Sequence, residues 1–347
     1  MIRNSFYLIG FVVFLITGGF AQTNVTKSFT VNGKTNSCIW HVPSGVNKPA
    51  VVFFIHGANG SGGAFQNETK GDVVADKEKF IAVYPSASSN GGAGIWSDMS
   101  GTSHFPFFQA VIDTLDVRYK IDRNRIYMTG FSQGGFISFV AGCKFSNIFA
   151  AVAPVSGHAG TSCTLKRPVS VFMTFGSQEG AASFFSDRDI WLKLDTCPAT
   201  PTVTRPYPPS KPQSGITRLT YGPCAQGTYV VVDSIGGQGH QWPTKLNQAE
   251  EVWAFFKQFS LEGSTAAKSR ISAKVSEQVS VSYISGIIHL QGVGEKSRVK
   301  VIDTRGRQIT KEFTTVNQFT FKNKSSGVYM VMVEQNDRTT AHRIVVP

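Results

Sequence analysis

From residue 50 onward the chain repeats one pattern: a short continuous apolar run, a turn, then a stretch with helical spacing. Residues 50–55 are rich in Val and Phe with no polar interruption, as in a strand buried on both faces. The run stops at a glycine-rich loop, residues 57–63, and residues 80–84 form a second such run. Between 107 and 119, Phe108, Val111, Ile112, Leu115 and Tyr119 fall on one helix face, and residues 125–129 make a third strand that ends at a glycine. Runs at 150–155, 169–175 and 229–233 continue the series, and residues 248–259 read as a closing helix. Strands alternating with helices imply an α/β fold, a mostly parallel sheet covered on both faces, expected over residues 22–261.

The pattern changes after Leu261. Residues 262–274 are small, polar and charged, the composition of a flexible connector. Beyond them, alternating runs at 279–283, 287–291, 298–303, 318–322, 328–334 and 343–346 are separated by turn residues such as Gly306 and Gly327. This spacing predicts a small antiparallel β-sandwich of about seven strands over residues 275–347.

With 41% hydrophobic and 16% charged residues, a chain of 347 residues can bury a large core and is not a disordered chain. Its net charge of +12 is not gathered in one block: residues 22–261 carry +5 and the shorter 262–347 carry +6. Nowhere do basic residues interleave with stacking aromatics as in a nucleic-acid groove, so no nucleic-acid partner is expected.

At the N-terminus, Arg3 precedes an apolar run from Phe6 to Ile16 and then the small residues Gly18, Gly19 and Ala21. These read as a signal peptide over residues 1–21, which predicts a secreted protein. Export makes disulfides the natural state of Cys38, Cys143, Cys163, Cys197 and Cys224, which show no zinc-like spacing, so no metal is expected. Sequence alone leaves connectivity open. Pairing Cys143 with Cys163 and Cys197 with Cys224 closes short loops and leaves Cys38 free.

The sharpest local signal is Gly130-Phe131-Ser132-Gln133-Gly134, a G-x-S-x-G between an expected strand and a helical stretch at 136–143. That context is the one a nucleophile elbow needs. Glycines leave room for a tight strand-to-helix turn, and Ser132 is lifted to the helix N-terminus, where backbone N–H groups face a developing anion. Ser132 needs a base. His240 sits in Gly239-His240-Gln241-Trp242-Pro243, after the strand 229–233 and before the last helix, with His158 a competitor because it follows the strand 150–155. Glu179, the first acid after the strand 169–175, is the expected partner of the imidazole, while Asp187, Asp189 and Asp195 follow close behind. The expected oxyanion donors are the backbone N–H groups of Gln133 and of Ala58, in the loop His56-Gly57-Ala58-Asn59-Gly60. Trp96 and Trp242 are candidates for lining the cleft.

Five ordered stretches then act together. Phe54-Ile55-His56-Gly57, Val83-Tyr84-Pro85, residues 122–135, Phe149-Ala150-Ala151-Val152-Ala153-Pro154-Val155-Ser156-Gly157 and the His240 loop resemble the secreted esterases grouped as polyhydroxybutyrate depolymerases and feruloyl esterases, carbohydrate esterase family 1-like α/β-hydrolases. The resemblance covers about residues 36–260. It implies an α/β-hydrolase fold, a serine mechanism without cofactor or metal, and an esterified plant cell-wall polysaccharide or oligosaccharide as substrate. Such proteins usually carry Gly-Thr-x-Asp where this chain has Gly176-Ser177-Gln178-Glu179, and Asn where Gln133 stands. Cys197 and Cys224 match a pair found in many relatives.

The C-terminal part has a resemblance of its own. Residues 299–307, Ser326-Gly327-Val328-Tyr329 and Arg343-Ile344-Val345-Val346 look like the sorting domains of bacterial type IX-like secretion, which implies outer-membrane secretion machinery as a partner. A carbohydrate-binding sandwich is the competing reading. It lacks an aromatic platform, since residues 262–347 hold no Trp, only Tyr283, Tyr329, Phe313, Phe319 and Phe321.

Overall fold

The computed structural model describes residues 21–88, 91–98, 102–158, 163–211, 213–264, 280–284, 286–291, 297–303, 307–310, 313–314, 318–321, 325–335 and 338–346. The leader expected over residues 1–21 lies outside them except for Ala21, and most of the expected connector does too. The chain divides into two compact units, Met1–Ala267 and Lys268–Pro347. No helix among the described residues is long and apolar enough to cross a membrane.

The first unit runs β1 (Thr23–Val31), β2 (Lys34–Val42), β3 (Val51–Ile55), α1 (Gly62–Thr69), α2 (Gly71–Glu78), β4 (Ile81–Pro85), α3 (Phe105–Tyr119), β5 (Ile126–Phe131), α4 (Gln133–Lys144), β6 (Ala151–Val155), β7 (Ser170–Gly176), α5 (Ala181–Leu194), β8 (Thr202–Thr204), β9 (Ile216–Tyr221), β10 (Val230–Ile235) and α6 (Gln248–Phe256). Its strands form one sheet in the order β1-β2-β4-β3-β5-β6-β7-β10-β9-β8. The strands from β4 to β10 are parallel, and antiparallel pairs close both edges.

The strand periodicity divides the core. Val51, Phe53 and Ile55 of β3 pack with α3, α4 and α5 on one face, while Val52 and Phe54 pack with α1, α2 and α6 on the other. Each such side chain contributes about 1.5–3 kcal/mol on burial, which is why the central strands carry no polar face.

Two departures from the sequence reading have local causes. The hairpin β1–β2 precedes the first expected strand, and its turn residues Asn32 and Gly33 both have positive φ, 51° and 75°. Asn-Gly is a common signature of such a turn, but β1 is largely exposed and so lacks an apolar run. The closing helix ends at Phe256 instead of 259, because residues 259–260 pair with 263–264 as a small hairpin, β11 (Phe259–Ser260) and β12 (Gly263–Ser264). There the Phe259 carbonyl accepts a 2.6 Å bond from the Tyr127 hydroxyl, a tertiary contact that sequence periodicity does not carry.

Disulfides join Cys143 to Cys163 and Cys197 to Cys224, and Cys38 is free and buried. At the end of α5, fully buried Asp195 accepts from the Val169 amide at 3.1 Å, while its Oδ2 has no donor among the described residues. Burial pushes its pKa up to about 7, with the nearby Arg167 guanidinium offsetting part of the rise. A carboxyl that holds its proton more tightly when folded stabilises the fold fully at low pH. That contribution is lost as pH rises from about 4 through 7. Asp195→Asn should therefore gain stability over wild type at pH 8, by on the order of 4 kcal/mol at most, and little at pH 4. Thermal unfolding of both proteins across this range checks it, and parallel curves would refute it.

The second unit contains β13 (Ser280–Ile284), β14 (Ile287–Gln291), β15 (Arg298–Asp303), β16 (Phe313–Thr314), β17 (Gln318–Thr320), β18 (Gly327–Gln335) and β19 (Arg338–Val346). These form a three-stranded sheet β13-β14-β17 and a four-stranded sheet β16-β15-β18-β19, with every pair antiparallel. Ile288 and Leu290 from the first, with Phe321 directly after β17, share a core with Val299, Val301, Val331, Val333 and Ile344 from the second.

Candidate active site

The C-terminal ends of the parallel strands lie along one end of the sheet, the place where open α/β sheets bind ligands. Ser132 follows β5, Ser156 follows β6, and Glu179 and His240 stand in the loops after β7 and β10.

Ser132 caps α4 with φ 55° and ψ −115°, a conformation that L-residues avoid and that the surroundings must impose. Its amide donates to the Val155 carbonyl at 2.9 Å, and its carbonyl accepts from the Phe136 amide at 3.0 Å. Gly134 makes the turn possible. A Cβ there would stand 2.0 Å from the Ile55 carbonyl oxygen, so helix α4 can reach the end of β3 only without a side chain. Gly134→Ala is expected to destabilise the protein by about 3 kcal/mol or more, because the obstructing atom is backbone in a packed core. A melting temperature within a degree or two of wild type would contradict this.

His240 bridges two groups far apart in sequence. Its Nε2 lies 2.9 Å from Ser132 Oγ, and its Nδ1 lies 2.5 Å from Glu179 Oε2. The imidazole is half-exposed and tilted against the Phe131 ring at 4.8 Å, whereas the Glu179 side chain is only 6% exposed. Glu179 is held from behind: its Oε1 accepts from the Gly176 amide at 2.7 Å and the Ser156 hydroxyl at 2.8 Å. A carboxylate with those donors on one oxygen can turn only the other toward the histidine.

The loops carrying Glu179 and His240 are stitched together. Ser177 and Gln178 amides donate to the Ile235 and Gln238 carbonyls, and the Gly237 amide donates to Ser177 Oγ. A Cβ at Gly176 would stand 2.2 Å from the Gln238 carbonyl oxygen, so the close approach of the histidine loop depends on that glycine.

Gln133, the residue after Ser132, begins α4, and its side-chain Oε1 accepts from the Trp96 amide at 2.8 Å. Gly57 lies against the elbow, with a Cβ position 3.3 Å from Ser132 Cβ, and Ala58 is the next residue. The Ala58 amide has no acceptor among the described residues. His56 holds this loop: its Nε2 accepts from the Ala87 amide at 3.1 Å, so Nδ1 carries the proton and donates to the Gly57 carbonyl. Burial lowers the His56 pKa, which keeps the ring neutral for this arrangement.

A cleft of about 520 Å³ opens over Ser132 and His240, lined also by Gln133, Phe136, His158, Gln178 and Phe184. Neither expected tryptophan lines it. Trp96 is fully buried, donates to the His56 carbonyl and packs on His56 and Phe108, so it supports the loop instead. Trp242 is buried edge-on against Phe65 and borders a different cavity, with Lys70, Lys211 and Lys245. Both are core residues because the apolar faces of α3 and α1 need large partners there. Ser156 was not singled out from sequence, although its place directly after the strand next to β5 is a usable signal. Asp187 and Asp195, the other acids near Glu179, bond elsewhere, and Asp189 pairs with Arg188.

Residues 37–185 match the family model described as Esterase PHB depolymerase, and residues 275–347 match the secretion system C-terminal sorting domain. The chain carries an esterase PHB depolymerase domain and a sorting domain. Among curated relatives, a bifunctional acetylxylan esterase/xylanase of Neocallimastix patriciarum is 29% identical over 64% of this chain and 32% of its own length. Feruloyl esterase D of Neurospora crassa is 29% identical over 48% of this chain and 58% of its own. Poly(3-hydroxyalkanoate) depolymerase C of Paucimonas lemoignei is 29% identical over 40% and 35%. The chain thus spans between about a third and three fifths of the length of these relatives. The solved acetyl xylan esterase from Aspergillus awamori superposes with a TM-score of 0.53 at 16% identity, over 67% of this chain and 98% of that one, which shows the α/β-hydrolase fold of this esterase PHB depolymerase domain.

Proposed function

We propose that the protein is a secreted serine carboxylesterase that hydrolyses acyl esters on plant cell-wall polysaccharide, with feruloyl esters its main substrate. The observation that carries the reading is the hydrogen-bonded chain from Ser132 through His240 to Glu179 at the floor of an open cleft. In this mechanism Ser132 Oγ attacks the ester carbonyl while His240 Nε2 takes its proton. Glu179 holds the imidazole in the tautomer with Nδ1 protonated and stabilises the imidazolium. The Gln133 and Ala58 amides receive the oxyanion. His240 returns the proton to the leaving alcohol, and a water then repeats the sequence to release the acid.

The esterase names of the relatives support this substrate class, and the sorting domain and two disulfides support export to the cell surface or beyond. An inactive binding protein would be favoured by a histidine without its acid, and Glu179 meets His240. The test is product release by the full chain from methyl ferulate, acetylated xylan and polyhydroxybutyrate. Ferulate release with the highest kcat/KM is expected. Faster turnover of another ester would move the substrate assignment, and no hydrolysis of any would end the esterase reading.

A further inference from the structure

Two imidazole–carboxylate pairs belong to this cleft, and only one of them touches Ser132. The second is His158, whose Nδ1 lies 2.9 Å from Asp187 Oδ2. Asp187 is buried on α5, three residues after Phe184 and therefore on the same helix face. The His158 ring lies on the Phe184 ring at 4.4 Å, and Phe184 lies in turn on Phe175 at 4.5 Å with the two ring planes nearly parallel. The stack sets the tilt of the imidazole and the carboxylate sets its tautomer. An ionised Asp187 can only accept, so Nδ1 carries the proton, and Nε2 of the neutral ring is an acceptor.

Nε2 has no hydrogen-bond partner among the described residues, and the side chain is 51% exposed where it lines the cleft beside Ser132 and His240. A pair serving only to hold the fold together would gain nothing from leaving a rigidly aimed acceptor at the wall of a binding cleft.

We propose that His158, oriented by Asp187, recognises a hydroxyl of the ester substrate by accepting its hydrogen bond at Nε2. The proposal rests on the esterase reading and narrows its substrate class to esters with a free hydroxyl near the scissile bond. Such a hydroxyl has two sources, the phenol of an aromatic acyl group or a sugar hydroxyl of the alcohol. In either case an analogue with the hydroxyl capped leaves Nε2 facing the ligand unpaired, which costs binding and positioning.

The experiment measures kcat/KM for two matched pairs of esters on the full chain. One pair is methyl ferulate and its 4-O-methyl ether. The other is a monoacetylated methyl xyloside with its remaining hydroxyls free and the same ester with them O-methylated. Wild type should prefer the free-hydroxyl member of one pair by about tenfold, and which pair shows it identifies the source. His158→Phe, which retains a ring on Phe184, should bring that ratio close to one. Asp187→Asn, nearly isosteric, should lower it as well and serves if the first variant does not fold. General damage to the triad or the fold lowers both members of a pair equally, so the ratio isolates hydroxyl recognition from a merely structural role. Ratios near one in wild type, or a ratio unchanged in both variants, overturn the assignment while leaving Ser132-dependent hydrolysis intact. Absence of any Ser132-dependent turnover instead fails the esterase reading, and this proposal with it.

Discussion

Ser132→Ala is expected to lower kcat for ester hydrolysis by about 10⁶-fold while leaving the fold intact. The substitution removes one oxygen, the atom that His240 Nε2 approaches at 2.9 Å. The bonds that shape the elbow are made by the Ser132 backbone, to Val155 and from Phe136, and alanine keeps both. The positive φ of 55° strains alanine no more than serine, so a melting temperature close to wild type is expected. Without Oγ no acyl-enzyme forms. The initial burst of 4-nitrophenol from 4-nitrophenyl acetate should therefore vanish along with the steady-state rate. A variant that keeps even one hundredth of wild-type turnover would mean that another group is the nucleophile.

Glu179→Gln is expected to reduce kcat by about 10⁴-fold, by analogy with the amide replacement of a triad aspartate. The Gly176 amide and Ser156 hydroxyl hold Oε1, and glutamine's carbonyl oxygen satisfies both donors in the same place. Its NH₂ is thereby turned toward His240 Nδ1, which must become an acceptor. The ring proton then moves to Nε2, facing Ser132, where it blocks proton uptake from the hydroxyl. Glu179→Asp keeps the charge but falls one methylene short of the imidazole, so its loss should be smaller. Rates for both variants with 4-nitrophenyl acetate, alongside thermal unfolding, separate the tautomer effect from damage to the loop. If glutamine were tolerated and Asp187→Asn were crippling on every ester, the acid would have to be reassigned.

The buried strands and the Gly130–Gly134 turn were readable because each is set by neighbouring residues: unbroken apolar runs for a sheet covered on both faces, and small residues where backbones cross. The N-terminal hairpin carried only the Asn32-Gly33 turn as a signal, since its first strand is mostly solvated.

The amino-acid sequence by itself determined the layered sheet, the placement of Ser132 at the end of a central strand and the glycine spacing that permits the elbow, because those follow from periodicity and sterics within a few residues. Only the tertiary structure decided which of several nearby acids meets His240, that Trp96 and Trp242 belong to the core, and that His158 and Asp187 pair beside the cleft. The physical reason is separation along the chain: His240 stands 61 residues from Glu179 and 108 from Ser132, so their meeting depends on where loops from different strands converge.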